Sequence, residues 1–307
     1  MKSNNYIGVA WLMVIGVSLP YAAIAQADGS QRKVITTTTV GDVKTFKTSR
    51  SDRAHFQGSI GISTNDYFRG SYDNVDKDLD QIVYTTGLST VFELPNSNQG
   101  AVTGLSLTLG TANNFASSDE RPALEDDGHW YESNWYAGLA GRLGSDWFGS
   151  VTYTAYSNPV SDNEPTHEAA VAFKYVGKNL AGNLKPQLKL AAPFAGNRDN
   201  GFFASVSLTP QTKLSKGGAY PVTLKFPLEV GGGFDDYYGT SSGSAAYARL
   251  GVSASTPLAS VPSRYGSWSI LGEIGVLARN DDLRAAEPAF ADDAVVPSAT
   301  LTLKVTY

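Results

Sequence analysis

The chain has 307 residues, of which only 17% are charged, whereas glycine and tyrosine are abundant at 31 and 16 copies. It has no cysteine, which excludes disulfides, thiolate metal sites and an N-terminal lipid-modified cysteine. The net charge of −5 argues against nucleic acid as a partner, because proteins that bind nucleic acid carry basic surfaces. A low charge content with many Tyr, Gly, Ser and Thr residues is typical of a β-rich protein.

The first 25 residues have the three parts of a cleaved secretory signal peptide. Lys2 supplies the positive end, residues 6–18 (YIGVAWLMVIGVS) supply a short apolar core, and Ala23-Ile24-Ala25 is an A-x-A motif. We therefore predict cleavage between Ala25 and Gln26 and export of the chain. The alternative is an uncleaved anchor, but the apolar run is shorter than the roughly 20 residues that span a bilayer.

Residues 26–53 are polar, and we interpret them as a periplasmic leader. No later apolar run approaches the length of a membrane helix. The exported chain is therefore either soluble outside the cytoplasm or embedded in a membrane as strands.

From residue 54 to 307 the sequence alternates with period two in about twelve segments, and none has helical periodicity. Short connections alternate with longer acidic ones, which is the pattern of an up-and-down antiparallel barrel in an outer membrane. We predict an all-β fold, a transmembrane β-barrel of about twelve strands over 54–307. Pro186, Pro221 and Pro227 lie inside two segments, so counts of ten and fourteen stay open. The predicted strands are 54–64, 79–94, 101–112, 130–143, 147–157, 165–176, 184–194, 201–211, 220–231, 244–256, 267–278 and 296–307.

One face of each predicted strand is apolar, and the charged residues fall on the other face. A basic side chain facing lipid at the bilayer midplane costs about 2–4 kcal/mol, so we expect the apolar face to meet lipid. A soluble barrel or sandwich alternates too, but the small polar residues on the charged face, such as Ser59 and Ser205, favour a wet lumen. The predicted pore-lining residues are Glu93, Glu132, Arg142, Glu168, Lys174, Lys185, Lys189, Lys225, Glu229, Arg249, Glu273 and Lys304.

Aromatic residues on the apolar face concentrate near the short connections. A ring of aromatic side chains at one membrane interface is typical of outer-membrane barrels, although aromatics also favour strands in general. The predicted interface aromatics are Phe56, Phe92, Trp147, Phe173, Tyr175, Tyr220, Trp268 and Tyr307.

The last predicted strand ends on Tyr307, with Leu301, Leu303 and Val305 at every second position before it. Outer-membrane barrels typically end in this way, and the ending resembles the signal that their assembly machinery reads. We therefore expect the barrel-assembly machinery and outer-membrane lipids to be partners of this chain.

The stretch GSIGISTNDYFRGSYDN (58–74) resembles the first strand and loop of TorF-type porins, in which Asp66, Tyr67, Phe68, Arg69 and Gly70 match by type. The spacing differs, because that family has one more residue between the Tyr and the aromatic before Arg-Gly. ESNWYAGLAG (132–141) and YTAYSNP (153–159) resemble the next two strands of the family. The resemblance implies a Gram-negative outer-membrane barrel of the porin type, with a poorly defined substrate.

A barrel of twelve strands is wider than the eight-stranded barrels that side chains fill and narrower than sixteen-stranded porins. We therefore expect passive diffusion of small solutes through a narrow lumen, with no cofactor. The lumenal charges are five acidic and seven basic. The basic ones on the seventh to tenth predicted strands either form a stripe that favours anions or pair with Glu168 and Glu229.

Two other functions stay open. The long connections carry 19 acidic and 6 basic residues, and a plugged structural or adhesive barrel would act through these surface loops. They show no calcium-loop spacing, so we predict no metal site. An outer-membrane lipid hydrolase would need Ser and His on the lipid face, where Ser157 and His167 lie. Neither has an evident third catalytic group, so we predict no enzyme.

Overall fold

The computed structural model of the chain describes the side chains of 54–65, 67–71, 82–94, 102–116, 129–159, 164–177, 179, 181–196, 201–214, 221–238, 245–286 and 293–307. Of 21–26, 33–39, 42–48, 72 and 180 it describes the backbone. Three strands near the N-terminus, β1 (Tyr21–Gln26), β2 (Lys33–Thr39) and β3 (Asp42–Thr48), form a separate antiparallel sheet in that order. The predicted cleavage site, between Ala25 and Gln26, falls at the end of β1.

Twelve antiparallel strands form a closed up-and-down barrel, which confirms the predicted fold. The first barrel strand pairs with the last, and Phe56 and Tyr307 exchange backbone hydrogen bonds of 2.8 and 2.9 Å at this seam. Because β4 and β19 pair with each other, neither of these two strands leaves a free edge at the seam. The strands in chain order are β4 (Ala54–Ser63), β5 (Tyr67–Phe68), β6 (Ser71–Tyr72), β7 (Val83–Glu93), β8 (Val102–Ala116), β9 (Trp130–Leu143), β10 (Trp147–Ser157), β11 (Thr166–Tyr175), β12 (Gln187–Ala195), β13 (Phe202–Leu208), β14 (Gln211–Lys213), β15 (Thr223–Lys225), β16 (Leu228–Phe234), β17 (Ala245–Pro257), β18 (Ser267–Arg279) and β19 (Val295–Thr306).

Prolines interrupt two of the predicted strands without changing the count. The eighth splits into β13 and β14 before Pro210, and the ninth splits into β15 and β16 at Pro227. A proline has no N–H to donate, but its carbonyl still accepts: Gly251 N–H donates to the Pro227 oxygen at 2.9 Å and Phe226 N–H to the Pro210 oxygen at 3.0 Å. Pairing therefore resumes on both sides of each break, and the barrel keeps twelve strands.

The seventh predicted strand begins later than expected. Leu184 ends the one-turn helix α1 (Leu180–Leu184), and Lys185 follows it in the left-handed conformation with φ 49°. The Asn179 side chain accepts a hydrogen bond from the Gly182 N–H at 3.0 Å and caps this helix. The assignment of residues 184–186 to a strand was therefore wrong, because the cap stabilises a helical turn there.

Two more short helices lie in connections: a 3₁₀ turn (Ser263–Tyr265) and α2 (Asp281–Ala285). No helix in the described part of the chain is long and apolar enough to cross a membrane.

Side chains along the barrel strands alternate between the outside and the lumen. Outward positions are large and apolar, and Ile60, Leu88 and Trp135 are 64%, 60% and 63% exposed. Within the twelve strands, the Asp, Glu, Lys and Arg residues occupy the inward positions. A water-soluble protein hides its apolar side chains and exposes its charges, so this barrel has the opposite arrangement.

Candidate functional site

The barrel lumen is the candidate functional site, because charged side chains converge there from eight of the twelve barrel strands. Glu168, Lys174 and Lys225 are only 3%, 6% and 5% exposed, and the other predicted pore-lining residues are half-buried. Lys185 belongs to the connection before β12 rather than to a strand. The others lie on inward positions: Glu93 on β7, Glu132 and Arg142 on β9, Glu168 and Lys174 on β11, Lys189 on β12, Lys225 on β15, Glu229 on β16, Arg249 on β17, Glu273 on β18 and Lys304 on β19.

A hairpin formed by β5 and β6 folds into the lumen from the first long connection. Its two turn residues, Arg69 and Gly70, both have positive φ, at 53° and 83°. Two consecutive residues with positive φ make the tight turn that matches the twist of a hairpin, and such a conformation is costly for a residue with a side chain. Gly70 packs so closely that a Cβ there would lie 2.6 Å from the Tyr247 ring. The hairpin tip is therefore held in place by the wall around it.

The tip places Arg69 in a buried cluster with Glu168. Both Nη atoms donate to the Glu168 carboxylate, with an Nη2–Oε1 distance of 2.7 Å, and the two side chains are 4% and 3% exposed. The hydroxyls of Tyr237 and Tyr156 donate to the same carboxylate at 3.0 and 3.2 Å. A bidentate pair with further hydrogen bonds is the arrangement that best offsets the desolvation of two buried charges.

Aromatic rings enclose the guanidinium. Arg69 Cζ lies 4.5 Å from the centroid of the Phe203 ring and 4.6 Å from that of Phe68, within the range of a cation–π contact. The Tyr238 hydroxyl donates to the Arg69 carbonyl at 2.7 Å. Leu283 of α2 is fully buried in the same aromatic core. We call the hairpin 67–72, the turn 235–238 and α2 together the plug, because they fill the long-connection end of the lumen.

The plug charges are electrostatically stable. Burial opposes the charge of Arg69, but attraction to Tyr237, Tyr156 and Glu168 outweighs it and raises the Arg69 pKa above its ordinary value. Burial also raises the pKa of Tyr237, so its hydroxyl keeps the proton that it donates to Glu168. The ion pair therefore persists across the physiological pH range.

The other lumenal glutamates also have partners in the wall. Arg249 donates to Glu273 at 2.5 Å, and the Tyr247 hydroxyl donates to Glu229 at 2.8 Å. Glu168 and Glu229, the candidate partners of the lumenal lysines, accept hydrogen bonds from an arginine and tyrosines, and both also attract Lys189. The remaining contacts are His55 with Glu93 at 3.4 Å, and Asn114 and Asn134 with Glu132.

Aromatic side chains surround the barrel near the short connections. Trp147 and Tyr175 meet edge to face with ring centroids 5.0 Å apart, and Tyr307 is 70% exposed. Phe56, Phe92, Phe173 and Trp268 share this end of the barrel, and Tyr220 lies outside the described residues. Sequence reasoning missed a second group at the opposite end: Tyr84, Phe115, Trp130, Tyr153, Phe194, Phe202 and Phe234.

The two groups bound an apolar band of membrane dimensions. Tyr84 and Phe92, on the same strand, are eight residues apart. That separation is about 27 Å along the strand and about 20 Å along the barrel axis at a ~40° tilt. Outer-membrane barrels carry an apolar band of about this height.

The serine and histidine considered for lipid hydrolysis have other partners. The Ser157 hydroxyl donates to the Ser133 carbonyl, and His167 Nδ1 bonds the Tyr153 hydroxyl at 2.7 Å. His167 also stacks on the Tyr153 ring with centroids 5.9 Å apart. In the described part of the chain, no group of three or more His, Cys, Asp or Glu side chains could hold a metal ion.

Sequence reasoning missed the plug residues. Arg69 was placed in a surface loop, and an Arg-Gly pair is not one of the sequence signals for a two-residue hairpin. Arg279, also assigned to a loop, ends β18, is buried, and lies 4.9 Å from the centroid of the Tyr67 ring. Arg69, within the hairpin, and Arg279, on the barrel wall, thus both fix the hairpin in the lumen.

No protein-family model and no curated protein matches the sequence. Among solved structures, one described as a bacterial polysaccharide outer membrane secretin is similar at 12% sequence identity and a TM-score of 0.37. The match covers 83% of this chain and 97% of that one.

Proposed function

We propose that this chain is an outer-membrane channel of a Gram-negative bacterium that passes small solutes through a narrow lumen. The observation that carries the proposal is the inverted distribution of side chains: large apolar residues outside, charges inside. That arrangement stabilises a barrel only when its outer wall contacts lipid. The predicted signal peptide and the resemblance to TorF-type porins favour the same compartment.

Strand number sets the size of the passage. Eight strands leave no free lumen, and sixteen to eighteen leave a wide aqueous channel. Twelve strands with charged and hydroxyl side chains along the wall suit small hydrated solutes, and the plug narrows one end. We propose no catalytic function, because Ser157 and His167 are engaged with other groups.

The membrane-facing wall is tested with two lysine substitutions on adjacent residues of β10. Val151 points outward at 57% exposure, whereas Thr152 is half-buried on the lumenal side. Val151→Lys should destabilise the folded barrel by about 2–4 kcal/mol in lipid, and Thr152→Lys should cost clearly less. Urea unfolding in lipid vesicles measures both, and equal costs would contradict a lipid-facing wall.

Conduction is tested with purified protein in planar bilayers. A channel gives ohmic current steps, which we expect to be smaller than those of sixteen-stranded porins. Absence of steps from barrels that remain folded would reject the channel.

The plug favours a second candidate, a closed barrel that acts through its surface loops. A buried ion pair, two buried tyrosines and Leu283 occupy the long-connection end. The wild-type protein would then be silent in bilayers and would conduct only when the hairpin is removed. Deletion of residues 66–74, compared with the intact chain, distinguishes a narrowed channel from a sealed barrel.

A further inference from the structure

The half of the lumen near the short connections is strongly basic. Arg142, Lys174 and Lys304 lie within three residues of the short-connection ends of their strands, and Lys225 is the third residue of β15, with which the ninth strand begins at that end. Lys185 adds a fifth positive charge from the connection itself. We call these five residues the basic belt. Among the described lumenal residues of this half, Glu93 is the acidic one, and it contacts His55.

Lys174 is the residue of the belt that indicates most clearly a binding site for a ligand. Its side chain is buried, with the residue only 6% exposed, and its Nζ has no hydrogen-bond partner among the described residues. Lys185 lies close enough to repel it. A buried ammonium without a partner costs several kcal/mol, and proteins retain such a group where it binds something.

The wall beside the lysines supplies further donors. Lys225 pairs across the sheet with Ser253, and Lys304 pairs with Ser59 and Ser269. Residues directly opposite in a sheet share a face, with Cβ atoms about 5 Å apart. Ammonium and hydroxyl groups at this spacing can donate together to the oxygens of one anion.

We infer that the basic belt is a binding site for small oxyanions, with phosphate as the type ligand, and that it makes the channel favour anions. The inference rests on the proposed function, for which it names the class of solute. Glu93 contacts His55, and Glu273, which lies further along the wall, pairs with Arg249 and also attracts Lys225. Five basic side chains against Glu93 and Glu273 leave this half of the lumen with an excess of positive charge for an oxyanion.

The test is phosphate binding by the detergent-solubilised barrel, measured calorimetrically at low ionic strength, because salt screens the belt. We expect Lys174→Met combined with Lys225→Met to weaken phosphate binding about tenfold or more, which corresponds to about 1.4 kcal/mol. Lys213→Met is the matched control, since Lys213 is exposed at the rim on β14 and should leave binding unchanged. Heat-modifiable migration shows that each variant is folded.

Bilayer recordings add a second readout. In a potassium chloride gradient the wild type should prefer chloride, and phosphate should reduce the chloride current. Both effects should shrink in the double variant. Phosphate block that is unchanged when phosphatidylglycerol replaces phosphatidylcholine supports a soluble anion, whereas competition would assign the site to a lipid headgroup and overturn the inference.

Failure of the two proposals can be told apart. If the barrel does not conduct but binds phosphate through Lys174 and Lys225, the channel proposal is rejected and the anion-site proposal stands. If the barrel conducts but prefers potassium and does not bind phosphate, the anion-site proposal is rejected and the channel proposal stands. Equal loss of binding in Lys213→Met and in the double variant would also reject it.

Discussion

Removing the guanidinium of Arg69 should release the hairpin from the lumen. In Arg69→Met, Glu168 loses two charge-assisted hydrogen bonds and keeps the hydroxyls of Tyr156 and Tyr237 and the attraction of Lys189. Removing one partner of a buried ion pair costs about 3–5 kcal/mol. Most of this cost destabilises the state in which the hairpin is docked in the lumen, because the charge of Glu168 stays buried there. At about 1.4 kcal/mol per factor of ten, the ratio of undocked to docked hairpin rises about 10²–10³-fold.

The absence of cysteine makes this shift measurable. Ser71→Cys places a unique thiol on the hairpin, next to the turn. We expect a maleimide added to refolded barrels in vesicles to label this thiol about 10²–10³-fold faster when Arg69→Met is present, because labelling then follows undocking. Bilayer recordings of the same variant should show larger or longer openings.

The matched control breaks an exposed ion pair in the same plug. Arg284 pairs with Asp281 at 2.9 Å on the surface of α2, where the carboxylate is 96% exposed. Such a pair is worth about 0–1 kcal/mol, so Arg284→Met should leave the labelling rate within about threefold of the wild type. Equal rates in the Arg69→Met and wild-type backgrounds, with both barrels folded, would refute the role of the buried pair.

Three further predictions concern single residues. Burial lowers the pKa of Lys185 to about 8, so the unfolded chain binds more protons than the folded barrel between about pH 8 and 10.5. The free energy of unfolding should therefore rise as pH rises through this window. Urea unfolding at pH 7.5 and 10 should show a smaller rise in Lys185→Gln than in the wild type. Gly70→Ala adds a Cβ 2.6 Å from Tyr247 at a φ of 83° and should expel the hairpin, at a cost of about 1–3 kcal/mol in unfolding free energy. Gly144→Ala, with φ 64° and open space around it, should cost only about 1 kcal/mol, and equal costs would contradict the clash. If the exposed Tyr307 ring belongs to the proposed assembly signal, Tyr307→Ser should reduce the amount of folded barrel in cells but barely slow refolding into vesicles, because the Tyr307 backbone still closes the seam. Slow refolding in vesicles would instead assign the ring to stability.

The barrel was predictable because each strand faces two different environments. Trp130–Leu143 and Trp147–Ser157 begin and end where the alternation predicts, since the apolar outside of the barrel and its polar lumen enforce period two along the whole strand. The prediction failed where a local effect replaced that constraint. The Asn179 cap turned the start of the seventh strand into α1, and Pro227 divided the ninth.

The plug was not predictable from alternation, because its contacts join distant parts of the chain. Arg69 reaches Glu168 on β11, 99 residues away, and Tyr237 beyond β16, 168 residues away. Neither neighbour is visible in a local pattern, and the acidic residues of the long connections suggest solvent rather than burial. What the sequence does show is Gly70, a residue that adopts the positive φ of the turn without strain.

The two ends of the lumen differ in how their buried charges are compensated. A barrel with its apolar face outward must fill its interior with polar groups, and each buried charge there needs a partner. At the long-connection end, the plug supplies that partner from the protein itself, through Arg69 and Glu168. At the short-connection end, Lys174 has none among the described residues. Neutralising Lys174 should therefore stabilise the empty barrel, whereas neutralising Arg69 should destabilise it, and this difference in sign separates a site kept for a ligand from one kept for structure.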